Sequence, residues 1–301
     1  MDDPPIWAWP FEQIRKITTQ AHAGADLTPR VWPTGARAAV ALSFDFDGET
    51  SWLYRGGRSP AAMSRGEYGA RVGVHRILSL LARHEVPATF FVPAVNGQLH
   101  PDAIDAILQS GRHEIGVHGW IHERGQDLTA EVERELLTRA FDYWRTRVGH
   151  NPAGIRTPSW DFTAHTLGII KDLGFIYDSS LMGDDRPYEL CVDNIPTGIV
   201  ELPVEWLLDD HPFLQIDPTN GSRSTMHPGA LLEIWRSEFQ MAYEERTLFL
   251  LTMHPQVIGH RSRLKMLETL VEEIRSTPGI WFATHEAVAQ VVRAEAAKNG
   301  Q

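Results

Sequence analysis

The chain has 301 residues, a net charge of -11 and a single cysteine, and its length is enough to bury one large core. The acidic balance argues against a nucleic-acid partner, whose backbone is bound by clustered Lys and Arg. Cys191 has no internal disulfide partner, Met1-Asp2-Asp3-Pro4-Pro5 lacks the pattern of a secretion signal, and no apolar run approaches the roughly 20 residues that span a bilayer, so the cytoplasm is the expected address.

Residues 1–36 are rich in Pro and Trp, with a short helix expected over Phe11–Ala21, and read as an arm packed on a domain or a neighbouring subunit. From Arg37 onward the chain reads as one domain, residues 37–301, in which apolar strand-like runs alternate with amphipathic helices. Strand Ala38–Phe46 precedes helix Ala70–His84, strand Ala88–Val92 precedes helix Pro101–Ser110, and strand His113–Val117 precedes helix Thr129–Val148. The alternation continues through strand Gly154–Thr157, helix Ala164–Leu173, and strands Ile176–Ser179 and Val200–Pro203. Helix Pro228–Glu245, strand Thr247–Met253, helix Arg261–Ser276, strand Ile280–Ala283 and helix Glu286–Ala297 complete it. Seven or eight such units predict an α/β fold with a TIM-like barrel. Met182–Thr197 and Asp209–Met226 read as long loops that shape a cleft.

Three polar fragments stand where strand-like runs end: Asp45-Phe46-Asp47, His118-Gly119-Trp120-Ile121-His122 and Thr252-Met253-His254-Pro255. Side chains two apart on a strand share a face, so Asp45 and Asp47 are expected as neighbours, one to bind a metal and one to stay free. His118 and His122 are spaced by one helical turn, which would let both imidazoles reach one ion. A carboxylate and two histidines leave coordination positions for water and a substrate carbonyl. Taken singly, each fragment has an ordinary reading, an Asp helix cap or a surface His pair. Their joint occurrence at strand ends points to metal-assisted hydrolysis, because barrel chemistry sits at the carboxyl ends of strands.

Together with Thr89-Phe90-Phe91-Val92, Arg156-Thr157-Pro158 and Leu251-Thr252-Met253-His254-Pro255, these fragments resemble the NodB-type polysaccharide deacetylase family over Arg37–Val292. The Asp-x-Asp spacing, Ser64-Arg65-Gly66, Ser180-Leu181-Met182 and Trp206-Leu207-Leu208-Asp209-Asp210 resemble its signal-less branch of peptidoglycan deacetylases, cyclic-imide hydrolases and allantoinases. The resemblance implies a distorted seven-stranded (β/α) barrel and a divalent metal, zinc first; the donor set itself, two histidines and a carboxylate, also accepts iron, cobalt or nickel. It also implies hydrolysis of N-acetyl groups on amino sugars, and a homo-oligomer, often a tetramer. Carried over, Asp47, His118 and His122 match the metal ligands, Asp45 the base, His254 the acid and Arg156 the arginine that orients the base. Asp209 or Asp210 would support His254. Read from the residues alone, Trp52, Trp160 and Trp206 are candidates to stack on a sugar face, Trp206 first, although core packing is the commoner fate of tryptophan.

This sequence departs from the family pattern at Gly119, where a Ser or Thr hydroxyl would brace the metal loop, and at Ser159-Trp160. Two alternatives stand beside the deacetylase: an amidohydrolase of a cyclic imide, hydantoin or allantoin on the same scaffold, and a carbohydrate-binding relative without turnover. Among the other histidines, His75, His84, His113, His165 and His285 read as structural, and an Asn220-Gly221-Ser222 sequon carries little weight.

Overall fold

The computed structural model describes residues 4–216 and 226–298. Ten strands form one curled sheet: β1 (His22–Asp26), β2 (Ala38–Asp45), β3 (Thr89–Val92), β4 (Glu114–Val117), β5 (Gly154–Ile155), β6 (Tyr177–Asp178), β7 (Tyr188–Val192), β8 (Ile195–Glu201), β9 (Leu248–Met253) and β10 (Ile280–Ala283). Strands β2 to β6, β8 and β9 are the seven parallel staves of the barrel. β9 runs along Ala39–Phe44, while the other edge of β2 is shared by β10 below and β3 above. Between Pro203–Asp209 and β9 the barrel is barely closed: among the described residues one bridge, Asp209 to Thr252, joins them.

The helices Val74–His84, Pro101–Gln109, Ala130–Val148, Thr166–Leu173, Pro228–Glu245 and Arg261–Ser276 cover the outside. Strand alternation explains how the core divides. In β2, Val40, Leu42 and Phe44 pack outward under the helices, whereas Ala39 and Ala41 join the inner cluster with Phe91, Tyr177 and Leu250. Small inner residues low in β2 leave room, and the same face continues upward as Ser43 and Asp45. β9 repeats the pattern, with Phe249 and Leu251 outward and Leu248 and Leu250 inward.

The strand-helix alternation expected from sequence is present, and helices Pro228–Glu245 and Arg261–Ser276 have the expected bounds. Met182–Thr197, expected as a loop, instead contains β7, paired antiparallel with β8, and the arm adds β1 antiparallel to β7. The arm helix is shorter than expected, Phe11–Thr18, and buries none of its residues. The sequon and residues 217–225 of the second expected loop lie outside the described residues. Among those described, no helix is long and apolar enough to cross a membrane.

Glu114 lies buried inside the barrel, where it accepts hydrogen bonds from Tyr177 Oη (2.6 Å), Thr89 Oγ1 (2.8 Å) and the backbone N–H of Glu286 (2.9 Å). Burial outweighs these donors and pushes its carboxyl up to about 7. In the unfolded chain the group ionises at its ordinary pKa, so between about 4.5 and 7 the folded state holds the extra proton. Stability therefore falls as pH rises through that window and then levels. Urea unfolding at a series of pH values checks this: Glu114→Gln removes that part of the slope.

Candidate active site

The Asp-x-Asp fragment begins on the inward face of β2 and leaves it through a tight turn. Gly48 has a φ of +56°, and a Cβ there would collide with the Asn96 side chain, whose amide donates to the Phe46 carbonyl at 2.6 Å. Thr50 Oγ1 donates to the Asp47 carbonyl at 2.6 Å, so the turn is fixed on both sides.

The histidine loop follows β4, and here the helical-turn expectation gives way. His118 to His122 is a non-helical turn with Gly119 at φ +72° and His122 at +63°. The imidazoles converge nonetheless, with ring centroids 5.2 Å apart. The missing hydroxyl at position 119 is replaced from an unforeseen quarter. The Glu123 carboxylate accepts from the backbone N–H groups of Trp120 (2.8 Å) and Ile121 (2.6 Å), and a Cβ on Gly119 would press on Glu123 and Pro158.

Asp47, His118 and His122 form a cluster of ligand atoms within 4.8 Å of one another. Asp47 Oδ1 is buried without a hydrogen bond, and it faces the Nε2 atoms of His118 at 3.5 Å and His122 at 3.6 Å. His118 Nδ1 must donate to the Arg156 carbonyl (2.7 Å), since a carbonyl only accepts, and this turns Nε2 toward Asp47. Burial pushes His122 down to about 4, keeping it in the neutral form that ligates. Burial alone would raise the Asp47 carboxyl, but the imidazoles of His122, His118 and His254 hold it well below the usual range. Burial would lower His118, yet Asp45 and Asp47 raise it. Two nitrogens and an orphaned carboxylate oxygen fit a divalent cation.

Asp45 and His254 flank this cluster. Asp45 Oδ1 accepts from Arg156 Nη1 at 2.7 Å, and its Oδ2 lies 4.0 Å from His118 Nε2. Arg156 is fully buried, and its five N–H groups have five acceptors within the protein: Asp45, Ser43 Oγ (2.9 Å), the Ser179 carbonyl and hydroxyl (2.9 Å each), and His285 Nε2 (3.3 Å). Burial holds His285 well below its ordinary pKa, so it can accept that bond. Sequence reading placed His285 among the structural histidines; its tie to Arg156 spans 129 residues and left no local signal.

His254 leaves the inward face of β9, its Nδ1 2.8 Å from Asp210 Oδ1 and its backbone N–H on Asp210 Oδ2 at 3.1 Å. Asp209 stands farther off, at 3.5 Å. Burial disfavours charge on His254, but Asp209 and Asp210 outweigh it and raise the imidazole well above its ordinary pKa. Its Nε2 lies 3.9 Å from Asp47 Oδ2 on the cluster side. Asp45, Asp47, His118, His122, Asp209 and His254 line one cavity of about 240 Å³, with the Trp160 and Trp206 rings packed in its wall, centroids 4.1 Å apart and planes tilted by 34°. His211, which sequence reading did not single out, also lines it, 5.2 Å from the His254 ring, and burial holds it down to about 3.

Residues 59–177 match the family model described as polysaccharide deacetylase. The peptidoglycan deacetylase of Helicobacter pylori is 30% identical over 277 residues, covering 83% of this chain and 94% of that protein. The chain belongs to the polysaccharide deacetylase family. A Mycobacterium smegmatis structure assigned to polysaccharide deacetylases superposes with a TM-score of 0.83 at 36% identity, covering 91% of this chain and 96% of that one. The crystal structure of PuuE allantoinase superposes with a TM-score of 0.76 at 27% identity, covering 87% and 92%. As a member of that family the chain is a hydrolase of carbon–nitrogen bonds other than peptide bonds, in a family that depends on a divalent metal.

Proposed function

We propose that this deacetylase removes the acetyl group from an N-acetylated amino sugar, with Asp47, His118 and His122 holding a divalent cation, zinc in the first instance. The single observation that supports this most is the placement of two proton-transfer groups around one ligand cluster: Asp45, held by Arg156, on one flank and His254, held by Asp210, on the other. A cation held there supplies Lewis acidity and lowers the pKa of bound water toward 7. Asp45, oriented by Arg156, takes the proton of the attacking water. His254 gives its proton to the departing nitrogen, and Asp210 keeps the imidazole aimed and charged. Carbon–nitrogen cleavage then yields acetic acid and a free amine; the acid returns a proton to His254 as it becomes acetate, and Asp45 releases the proton it took to solvent. Trp160 and the half-exposed Trp206 offer an apolar face to a sugar ring.

Acetate release from N-acetylglucosamine oligomers by the metal-loaded enzyme tests this reading, and silence across that series sinks it. In the same assay His254→Ala slows amides with poor leaving groups far more than activated ones, since protonation matters most where the amine departs badly. Equal loss on both removes His254 as the acid.

A second reading, ring opening of a cyclic amide, is supported by the likeness to the allantoinase structure and by the modest cavity. Loss of ultraviolet absorbance from a cyclic imide separates the two. We further read residues 1–36 as an arm on a barrel domain of 37–301 that associates with copies of itself, which the exposed Trp7 and Phe11 support. Light scattering before and after deletion through Pro29 tests that assembly. A reducing, cytoplasmic setting suits the free thiol of Cys191.

A further inference from the structure

The one-turn helix Pro255–Ile258 opens directly after His254, and the backbone N–H groups of Val257 and Ile258 both return to the His254 carbonyl at 2.8 Å. It packs against the turn Gly69–Gly73, which is π-helical, a rare form that often marks functional sites. The contact is backbone on backbone. A Cβ on Gly73 would collide with the Pro255 carbonyl, and one on Gly259 would lie 2.5 Å from Gly73 Cα. Beside them, a Cβ on Gly69 would lie 3.1 Å from the Gln256 nitrogen and 3.3 Å from its Cβ and Oε1. Gln256 is thus backed by a glycine surface and has its face toward the ligand cluster.

Gln256 is 6% exposed, and its Nε2 donates to Asp47 Oδ2 at 3.4 Å. Among the described residues this is the one hydrogen bond listed to that carboxylate, since Asp47 Oδ1, facing His118 and His122, accepts none. The other end of the amide is costly: Gln256 Oε1 is buried with no partner. An apolar side chain of similar volume would avoid that cost, so stability alone does not favour glutamine here. What the amide does is make the two oxygens of Asp47 unequal. Without it, the next donor for Oδ2 is His254 Nε2, 3.9 Å away, and a carboxylate turned there would leave the cluster and occupy the imidazole on its flank.

We propose that Gln256 is a positioning residue, whose amide N–H holds Asp47 Oδ2 so that Asp47 meets the cation through Oδ1 alone. The inference rests on the reading of Asp47, His118 and His122 as ligands. It extends that site by one layer, in the way that hydrogen bonds to a ligating carboxylate fix its direction.

Gln256→Met removes the donor and the unsatisfied acceptor together at nearly constant volume. Three measurements on the full-length protein test it: Zn²⁺ affinity by chelator competition, the urea midpoint of the metal-free form, and the visible bands of the Co²⁺-loaded form. The expected result is a zinc affinity lower by about tenfold or more, a metal-free midpoint equal to the parent's or higher, and shifted cobalt bands. Parent-like affinity or unchanged bands overturn the proposal. A lowered metal-free midpoint also overturns it, because Gln256 then serves the fold. A parent protein that binds no zinc, or whose affinity survives His118→Ala, is a failure of the ligand reading itself and is seen as such before the variant is made.

Discussion

Asp45→Asn retains the bound cation and slows amide hydrolysis by about 100-fold or more. The reasoning is geometric. Asp45 is not in the cluster of Asp47, His118 and His122, and its Oδ1 is committed to Arg156 at 2.7 Å. An amide at this position keeps the shape and can still accept from the guanidinium, but it cannot take a proton from water. Metal content by elemental analysis and the steady-state rate must therefore separate: the first unchanged, the second collapsed. His118→Ala is the control in which both are lost together, because it removes one of the proposed ligands. An Asp45→Asn enzyme with an unaltered rate would remove Asp45 from the mechanism.

Arg156→Leu is expected to cost about 3–5 kcal/mol of stability as well as most of the activity. The guanidinium is fully buried with every donor used, so its removal leaves Asp45 charged and buried without its cationic partner, and strands Ser43, Ser179 and His285. The guanidinium also sits 4.2 Å over the Phe91 ring, and a leucine has no charge with which to replace that cation–π attraction. Arg156→Lys rescues little, since an ammonium has three donors and cannot span five acceptors lying in one plane's fork. Chemical unfolding midpoints for the two variants check this, and a lysine variant as stable as the parent would refute it.

The course of the barrel was legible because its signals are periodic. β2 and β9 are long apolar runs, and the helices between strands carry repeating apolar faces, so their order and type follow from local sequence. What escaped was short or non-periodic. β1, His-Ala-Gly-Ala-Asp, has no apolar alternation and becomes a strand by docking on β7. The candidate site shows the same division. Asp45, Asp47, His118, His122 and His254 stand at strand ends and were found there. The choice between Asp209 and Asp210 depends on which side chain the Trp206–Leu208 turn aims at His254, and neighbouring residues of one type give no hint of that. Glu123 and His285 act through contacts made only in three dimensions, and His211 enters the cavity because Asp210 opens a one-turn helix beneath it.

Ser159 and Trp160 follow one another in the left-handed region, at φ 57° and 56°, and neither is glycine. Such a conformation costs on the order of 1–3 kcal/mol per residue and persists only where its surroundings impose it. Here the Trp160 N–H is tied to the Thr157 carbonyl at 3.0 Å and the indole is clamped against Trp206. The protein thus accepts a locally unfavourable backbone to hold one ring at a set angle. A cavity wall kept under tension in this way resists reshaping by whatever enters, so selectivity at that wall comes from rigidity and not from adjustment.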